Sequence, residues 1–263
     1  MLRNITIGQY LAGNSVIHNL DPRMKIIITI MMITALFFID SFLGYALFFL
    51  AVIIIVYLSR IPPIRILRGL KPVLFLVMLT LILHVFFTKG GDLIWRWGFI
   101  SIESEGLYTG FFMVTRILLL IVFTSLLTLT TSPLELTDGI EYLLGPLKRI
   151  GVPASELAMM MTIALRFIPT LLEEADKIMK AQMARGADFE SGNIVKRARN
   201  LIPLLVPLFI SAFRRADDLA LAMESRCYHG GEGRTRLYEL KIGIRDFIAL
   251  GLSIILSLIF IIF

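Results

Sequence analysis

Five stretches of this chain are long and apolar enough to call for a bilayer rather than a soluble core. A helix that crosses a membrane needs about 17–25 predominantly apolar residues. Met24–Ile39 offers 16 residues with Lys25 at its mouth, Phe42–Leu58 offers 17 without a charge, and Pro72–Thr88 offers 17 with one histidine, His84. Leu107–Thr130 offers 24, interrupted by Arg116, and Phe247–Phe263 gives 17 more. Composition agrees with this reading. Of the 263 residues 57% are hydrophobic and only 17% charged, where a soluble domain is nearer one quarter charged. The residues before Met24 are mixed and polar, without the ordered regions of a removable signal peptide.

Charge orients the spans, because lysine and arginine concentrate in cytoplasmic loops. Arg60, Arg65, Arg68 and Lys71 lie between the second and third apolar stretches, and residues 132–245 hold sixteen of the 26 basic residues. Thr88–Gly106 holds only Lys89 and Arg96, with Trp95 and Trp97 as expected interfacial anchors. The arrangement that satisfies all of these puts the N-terminus inside, a tight outer turn at Asp40-Ser41, residues 59–71 inside, 89–106 outside and 132–243 inside. Phe263 then ends at the outer face. The expected fold is an all-α polytopic membrane protein with about five transmembrane helices and a cytoplasmic or interfacial helical segment. It divides into 1–131, 132–243 and 244–263. The net charge of +6 follows from the cytoplasmic bias, with anionic membrane lipids as an available partner. No basic, aromatic module stands apart from the membrane, so no nucleic-acid partner is expected.

Several chemistries find no support. A single cysteine, Cys227, allows no intrachain disulfide. His18, His84 and His229 are too scattered to read as a metal cluster or part of a catalytic triad. No G-x-x-x-x-G-K-[ST] phosphate loop occurs, so the chain is not expected to bind ATP in that manner.

The internal segment 132–243 carries helix signals of its own. Ser132-Pro133-Leu134-Glu135 reads as serine N-cap, proline at the first helical position and an acid at the third. That helix ends near Lys148-Arg149-Ile150-Gly151. A second begins near Pro153-Ala154-Ser155-Glu156, passes Met159-Met160-Met161, and is expected to bend or break near Pro169. It ends at Ala184-Arg185-Gly186, where glycine suits a left-handed cap. Leu201–Phe213 is apolar for thirteen residues, too short to span and better suited to an interfacial or re-entrant piece. The helix after it carries Ala212, Ala216 and Ala220 on one stripe, which would let another helix approach closely. It ends at Ser225-Arg226-Cys227, before His229-Gly230-Gly231. Six methionines, Met159 to Met161, Met179, Met183 and Met223, read either as core filling or as an adaptable apolar surface.

Within this segment one pattern occurs twice. Ala175-Asp176 is followed by seven residues and Ala184-Arg185-Gly186, and Ala216-Asp217 by seven residues and Ser225-Arg226-Cys227, 41 residues further on. One arginine before a glycine at a helix end reads as a carbonyl cap. Two with the same upstream acid and spacing point to a shared task. Each aspartate sits about two and a half turns before its arginine, too far to pair with it. The guanidinium fork is left to reach a partner.

These residues resemble the transmembrane T component of energy-coupling factor transporters. In that family two cytoplasmic coupling helices each end in an X-Arg-X motif. Ala184-Arg185-Gly186 matches the first motif fully; Ser225-Arg226-Cys227 keeps the arginine but has Ser and Cys where Ala and Gly are common. Leu20-Asp21-Pro22-Arg23, Leu129-Thr130-Thr131-Ser132-Pro133, Ala164-Leu165-Arg166-Phe167-Ile168-Pro169 and the run through Phe189 resemble further family motifs, so the likeness covers nearly the whole chain. It is nearest to the shared form that serves several substrate-binding subunits.

The resemblance implies a non-catalytic scaffold in the cell membrane, for import of vitamins or other micronutrients. Its partners would be two nucleotide-binding ATPase subunits and one or more membrane-embedded substrate-binding S components. It would hold no cofactor itself, ATP being bound by the partner subunits. Ala184, Arg185, Gly186, Ser225, Arg226 and Cys227 would dock the ATPases, with Asp176 and Asp217 holding the coupling helices together. The rival reading is an autonomous secondary transporter or channel, which needs ionisable groups facing a cavity. Only Arg116 and His84 qualify, and Arg116 is expected to pair within the bundle. Arg166 is expected to snorkel or to pair with an acid such as Glu173.

Overall fold

The computed structural model describes residues 10–97, 100–189, 193–230 and 240–262, without the side chains of 95–97, 100–102, 194, 197 and 198. The Trp95 and Trp97 side chains, Gly231, Phe263 and the first nine residues therefore lie outside the described residues. Helices follow one another through the chain: α1 Pro22–Phe37, α2 Phe42–Ser59, α3 Pro63–Leu70, a 3-10 turn at Lys71–Val73, α4 Leu74–Phe87, α5 Ser104–Thr130, α6 Pro133–Leu144, α7 Ala154–Ala184, α8 Ile194–Asn200, α9 Ile202–Glu224 and α10 Ile244–Ile262. The chain is an all-α polytopic membrane protein. Five helical runs are long and apolar enough to cross a bilayer: α2, the continuous run Pro63–Phe87, α5, α7 and α10.

One of those five differs from the sequence expectation. α1 has 16 residues, about 24 Å of helix against a hydrocarbon core of about 30 Å. α7 takes the fifth place with 31 residues, running unbroken through Pro169. The stretch 89–106 also holds an antiparallel hairpin, β1 Leu93–Trp97 and β2 Ile100–Glu103, with Trp95 opposite Ile102 and Trp97 opposite Ile100. Alternation over so few residues is hidden among the flanking apolar spans, so no strand was expected there.

Two compact units are distinguished, 10–139 with 240–262 and 140–230 among the described residues. In the first, α5 packs against α1, α2, α3 and α4, and α10 packs against α1 and α2. Met32, Leu36, Phe48, Leu119, Phe123 and Phe260 form its core, with the Phe48 and Phe260 rings 5.2 Å apart. Gly106 permits the close start of α5 beside the end of α4. A Cβ there would lie 2.8 Å from the Thr88 carbonyl oxygen and 2.9 Å from that of His84.

The Asp21-Pro22-Arg23 motif is where the first unit ties three helix ends together. Asp21 caps α1 by accepting from the Arg23 N–H at 2.9 Å, while its own N–H donates to Asp246 Oδ1 at 2.8 Å. The other Asp246 oxygen accepts from the Gly243 N–H at 2.8 Å, capping α10. Arg23 Nη2 donates to the Leu240 carbonyl at 3.0 Å. Lys25 Nζ donates to the carbonyls of His18, at 2.9 Å, and Thr130, at 3.1 Å, placing a cation at the C-terminus of α5, where the helix dipole favours it. Asp21, Arg23, Lys25 and Asp246 are all buried. Ser132 and Glu135 form the expected start of α6 as a reciprocal capping box, each accepting from the other's backbone N–H.

Candidate functional site

The second unit is built around two long helices, α7 and α9, packed against each other. Each ends in the repeated arginine pattern, and the two ends fold alike. At the first, the Gly186 N–H donates to the Met183 carbonyl at 2.9 Å and the Ala187 N–H to that of Gln182 at 3.0 Å. At the second, the Cys227 N–H donates to the Glu224 carbonyl at 2.9 Å and the Tyr228 N–H to that of Met223 at 3.1 Å. Both are the crossed pair of bonds that satisfies the last carbonyls of a helix through one left-handed residue. Gly186 fills that position at φ 85° and Cys227 at φ 56°. The arginine immediately precedes the left-handed residue in both copies. With the last carbonyls taken up by backbone, neither arginine is needed as a cap.

Both arginines are exposed, and their side chains make no hydrogen bond or ion pair among the described residues. Ala184, Gly186, Ser225 and Cys227 are exposed beside them, and the Ser225 hydroxyl donates back to the Ala222 carbonyl at 2.9 Å. The sequence reading places Asp176 and Asp217 at the crossing of α7 and α9. Asp176 pairs with Lys180 on its own helix at 2.7 Å. Asp217 is exposed and makes no ion pair among the described residues. An ion pair does join the two helices, Arg215 Nη2 to Glu174 Oε2 at 3.1 Å.

That bridge joins equivalent positions of the repeat, since Glu174 and Arg215 each stand two residues before the aspartate of their copy. Contact between equivalent positions is the mark of a local two-fold relation, as at the axis of an isologous interface. Each arginine then lies eleven residues beyond the contact, about 16 Å of helix on either arm. Sequence reasoning missed Glu174 and Arg215, although their opposite charges stand at the same 41-residue offset.

Comparison with known proteins agrees with the motifs. The family model described as cobalt transport protein, CbiQ, matches residues 13–237. Proteins named energy-coupling factor transporter transmembrane protein EcfT are similar over nearly the full length. The one from Thermosediminibacter oceani is 63% identical, over 95% of this chain and 96% of its own. That from Clostridium kluyveri is 58% identical, over 95% and 93%. That from Bacillus subtilis strain 168 is 48% identical, over 98% and 96%. The chain belongs to this family of energy-coupling factor transporter transmembrane components.

The second unit also presents apolar surface, much of it toward the opposite ends of α7 and α9 from the arginines. None of the six methionines in it is buried, and Met160, Met161 and Met183 are exposed, so they do not fill a core in this chain. Phe209 and Phe213 of α9 are 61% and 67% exposed. The stretch 201–213 is no separate re-entrant piece, because it continues without interruption into the charged half of α9. The alanine stripe is open as well. Ala216 and Ala220 are exposed, and the alanines buried in this unit's helix pair, Ala154, Ala158 and Ala175, all lie on α7. Arg166 is exposed and makes no ion pair with Glu173 among the described residues.

The two ionisable groups that a self-contained transporter would need have local tasks. Arg116 donates from Nε to the Tyr45 hydroxyl at 2.8 Å and from Nη2 to the Ile39 carbonyl at 3.1 Å. Its guanidinium lies 5.7 Å from the centre of the Phe37 ring. It thus joins the end of α1 to α2 and α5, as expected for structural pairing. His84 Nδ1 lies 3.1 Å from the Thr88 hydroxyl at the end of α4.

Proposed function

We propose that this chain is the non-catalytic scaffold of a vitamin or micronutrient importer, and that it passes ATP-driven motion from two ATPase subunits to a membrane-embedded substrate-binding subunit. Residues 132–243 form the cytoplasmic coupling segment, in which α7, though long and apolar enough to cross a bilayer, lies at the membrane surface, and the N-terminus lies on the same side. Arg185 and Arg226 each enter an ATPase, with Ala184, Gly186, Ser225 and Cys227 at the contact. The observation that carries this reading is the matched pair of helix ends. Two arginines without partners among the described residues sit on identical caps, at equal distances from a shared contact. That is the form needed to grip two similar subunits. A rigid lever follows from the α7–α9 pair, because displacement of one arm moves the shared contact. The exposed methionines and phenylalanines of the same unit offer an adaptable surface for a membrane partner.

The test is a pull-down of the tagged chain from a mild detergent extract, with partners identified by mass spectrometry. Wild type is expected to bring down ATPases with phosphate-loop motifs and small membrane proteins. The Arg185→Ala/Arg226→Ala variant is expected to lose the ATPases, since truncating one partner of a buried charge pair costs about 2–5 kcal/mol at an interface. Several different small membrane proteins would mark a shared scaffold, and one a dedicated scaffold. Unchanged assembly and uptake in the double variant would sink the docking role.

A further inference from the structure

The first unit contains an apolar cleft with a basic polar mouth, and neither part belongs to the arginine motifs. The cleft, about 740 Å³, runs between α2, α3 and α5. Its α2 wall repeats at helical spacing from Phe42 through Tyr45, Phe49 and Val52 to Val56. Fourteen residues of helix make the wall about 21 Å long. The polar side chains in the lining are already engaged. The Tyr45 hydroxyl accepts from Arg116, and the Thr115 hydroxyl donates to the Phe111 carbonyl at 2.9 Å. A polar ligand would therefore find nothing there to bind.

A second pocket, about 860 Å³, shares Ile53, Val56 and Pro63 with the cleft, so the two adjoin along α2 and the start of α3. Its character is opposite. Arg60, Arg245, Asn14 and Asn19 line it, and no acidic residue does. Arg60 and Arg245 are exposed and make no side-chain hydrogen bond or ion pair among the described residues. Arg60 is held at φ 55°, in the left-handed region that a bulky residue adopts at a cost.

A ligand that fits both parts has an anionic head and a long apolar tail. We propose that this is a binding site for one anionic phospholipid, with its phosphate between Arg60 and Arg245 and one acyl chain along the α2 wall. Dimensions favour a single chain. One leaflet contributes about half of a hydrocarbon core some 30 Å thick, about 15 Å, so a chain anchored at Arg60 ends within the cleft. The two asparagine amides supply donors to the phosphate or glycerol oxygens. Charge complementarity selects a phosphatidylglycerol-like lipid over a zwitterionic one, whose ammonium would face two arginines.

Native mass spectrometry of the full-length chain tests this, using detergent micelles titrated with phosphatidylglycerol or phosphatidylcholine. Wild type is expected to retain one phosphatidylglycerol in preference to phosphatidylcholine. Arg60→Gln/Arg245→Gln is expected to weaken that retention about thirtyfold, roughly fivefold per arginine. Arg65→Gln/Arg68→Gln removes equal charge from α3 and is expected to change it less than about twofold. Ala46→Trp, at an exposed lining position, fills the cleft and should weaken retention without removing charge. Glycerol phosphate alone should not displace the lipid. Equal losses in the two arginine variants would reduce the effect to diffuse charge and overturn the proposal. So would undiminished retention in a folded Ala46→Trp variant, displacement by glycerol phosphate, or a membrane protein rather than lipid lost on filling the cleft. Should Ala46→Trp fail to fold, the contrast between the two arginine pairs decides alone.

Discussion

The two units of this chain treat charge in opposite ways. In the first, Asp21, Arg23, Lys25 and Asp246 are buried; Asp21 caps its own helix, and the other three bond to backbone of another helix end or of a neighbouring segment. Arg116 is likewise engaged by α1 and α2. In the second, the Arg185, Arg226 and Asp217 side chains are exposed without a partner among the described residues, on helices that also carry uncovered methionines and phenylalanines. Burying a charge is tolerable only when it is paired and hydrogen-bonded. Asp246 and Lys25 meet the hydrogen-bonding condition within the first unit. Arg185 and Arg226 stay at the surface of the second, where no such condition applies.

The sharpest way to break that contrast is to remove a charge from the first unit. Asp246→Ala leaves the Asp21 and Gly243 N–H groups without their acceptor in a buried site. Two hydrogen bonds to a charged group together contribute about 3–5 kcal/mol. A large fall in the unfolding temperature of the detergent-solubilised chain is expected, with Asp246→Asn intermediate because it keeps one acceptor oxygen. Arg185→Ala, by comparison, removes an exposed side chain and should move stability by less than about 0.5 kcal/mol. If the two variants were equally destabilised, the division of labour between the units would be wrong.

A smaller effect separates the two copies of the arginine pattern. Gly186 and Cys227 occupy the same left-handed position, which glycine enters freely and cysteine does not. Gly186→Ala is expected to destabilise by about 1 kcal/mol and Cys227→Gly to stabilise by a similar or smaller amount. Thermal unfolding of the two variants checks this. A loss of stability in Cys227→Gly would mean that the thiol makes a contact worth more than the strain.

What could be read from the sequence depended on whether the signal was local. Ser132-Pro133-Leu134-Glu135 specifies a helix start by itself, and the structure forms it there. The Ala184-Arg185-Gly186 ending was equally legible, because a glycine cap is local chemistry. The tie between Asp21 and Asp246 was not, since the two lie 225 residues apart and neither carries a sign of its partner. Nor was the full length of α7. Its charged second half conceals that the whole 31-residue run is one helix, and Pro169 suggested a break that neighbouring turns absorb. Glu174 and Arg215 were not legible for a related reason. Repetition marks a position as shared between the copies, but only packing decides which shared position meets its counterpart.

That last distinction sets the smallest and most specific test. Arg215 and Glu174 are partly exposed, with side chains 39% and 27% accessible. An ion pair of that kind contributes at most about 1 kcal/mol. Arg215→Ala and Glu174→Ala should each cost about 0.5–1 kcal/mol, and the double variant no more than either, because the second substitution removes a group whose partner is already gone. The exchanged pair, Glu174→Arg with Arg215→Glu, is expected to recover most of the loss. It is the only variant of the four that keeps a bridge between the copies with its polarity reversed. The same cycle on Asp176 and Asp217 should show no coupling, as neither is seen to pair with the other. Coupling there, and none between 174 and 215, would move the contact between α7 and α9 two residues along both helices and shorten both arms equally.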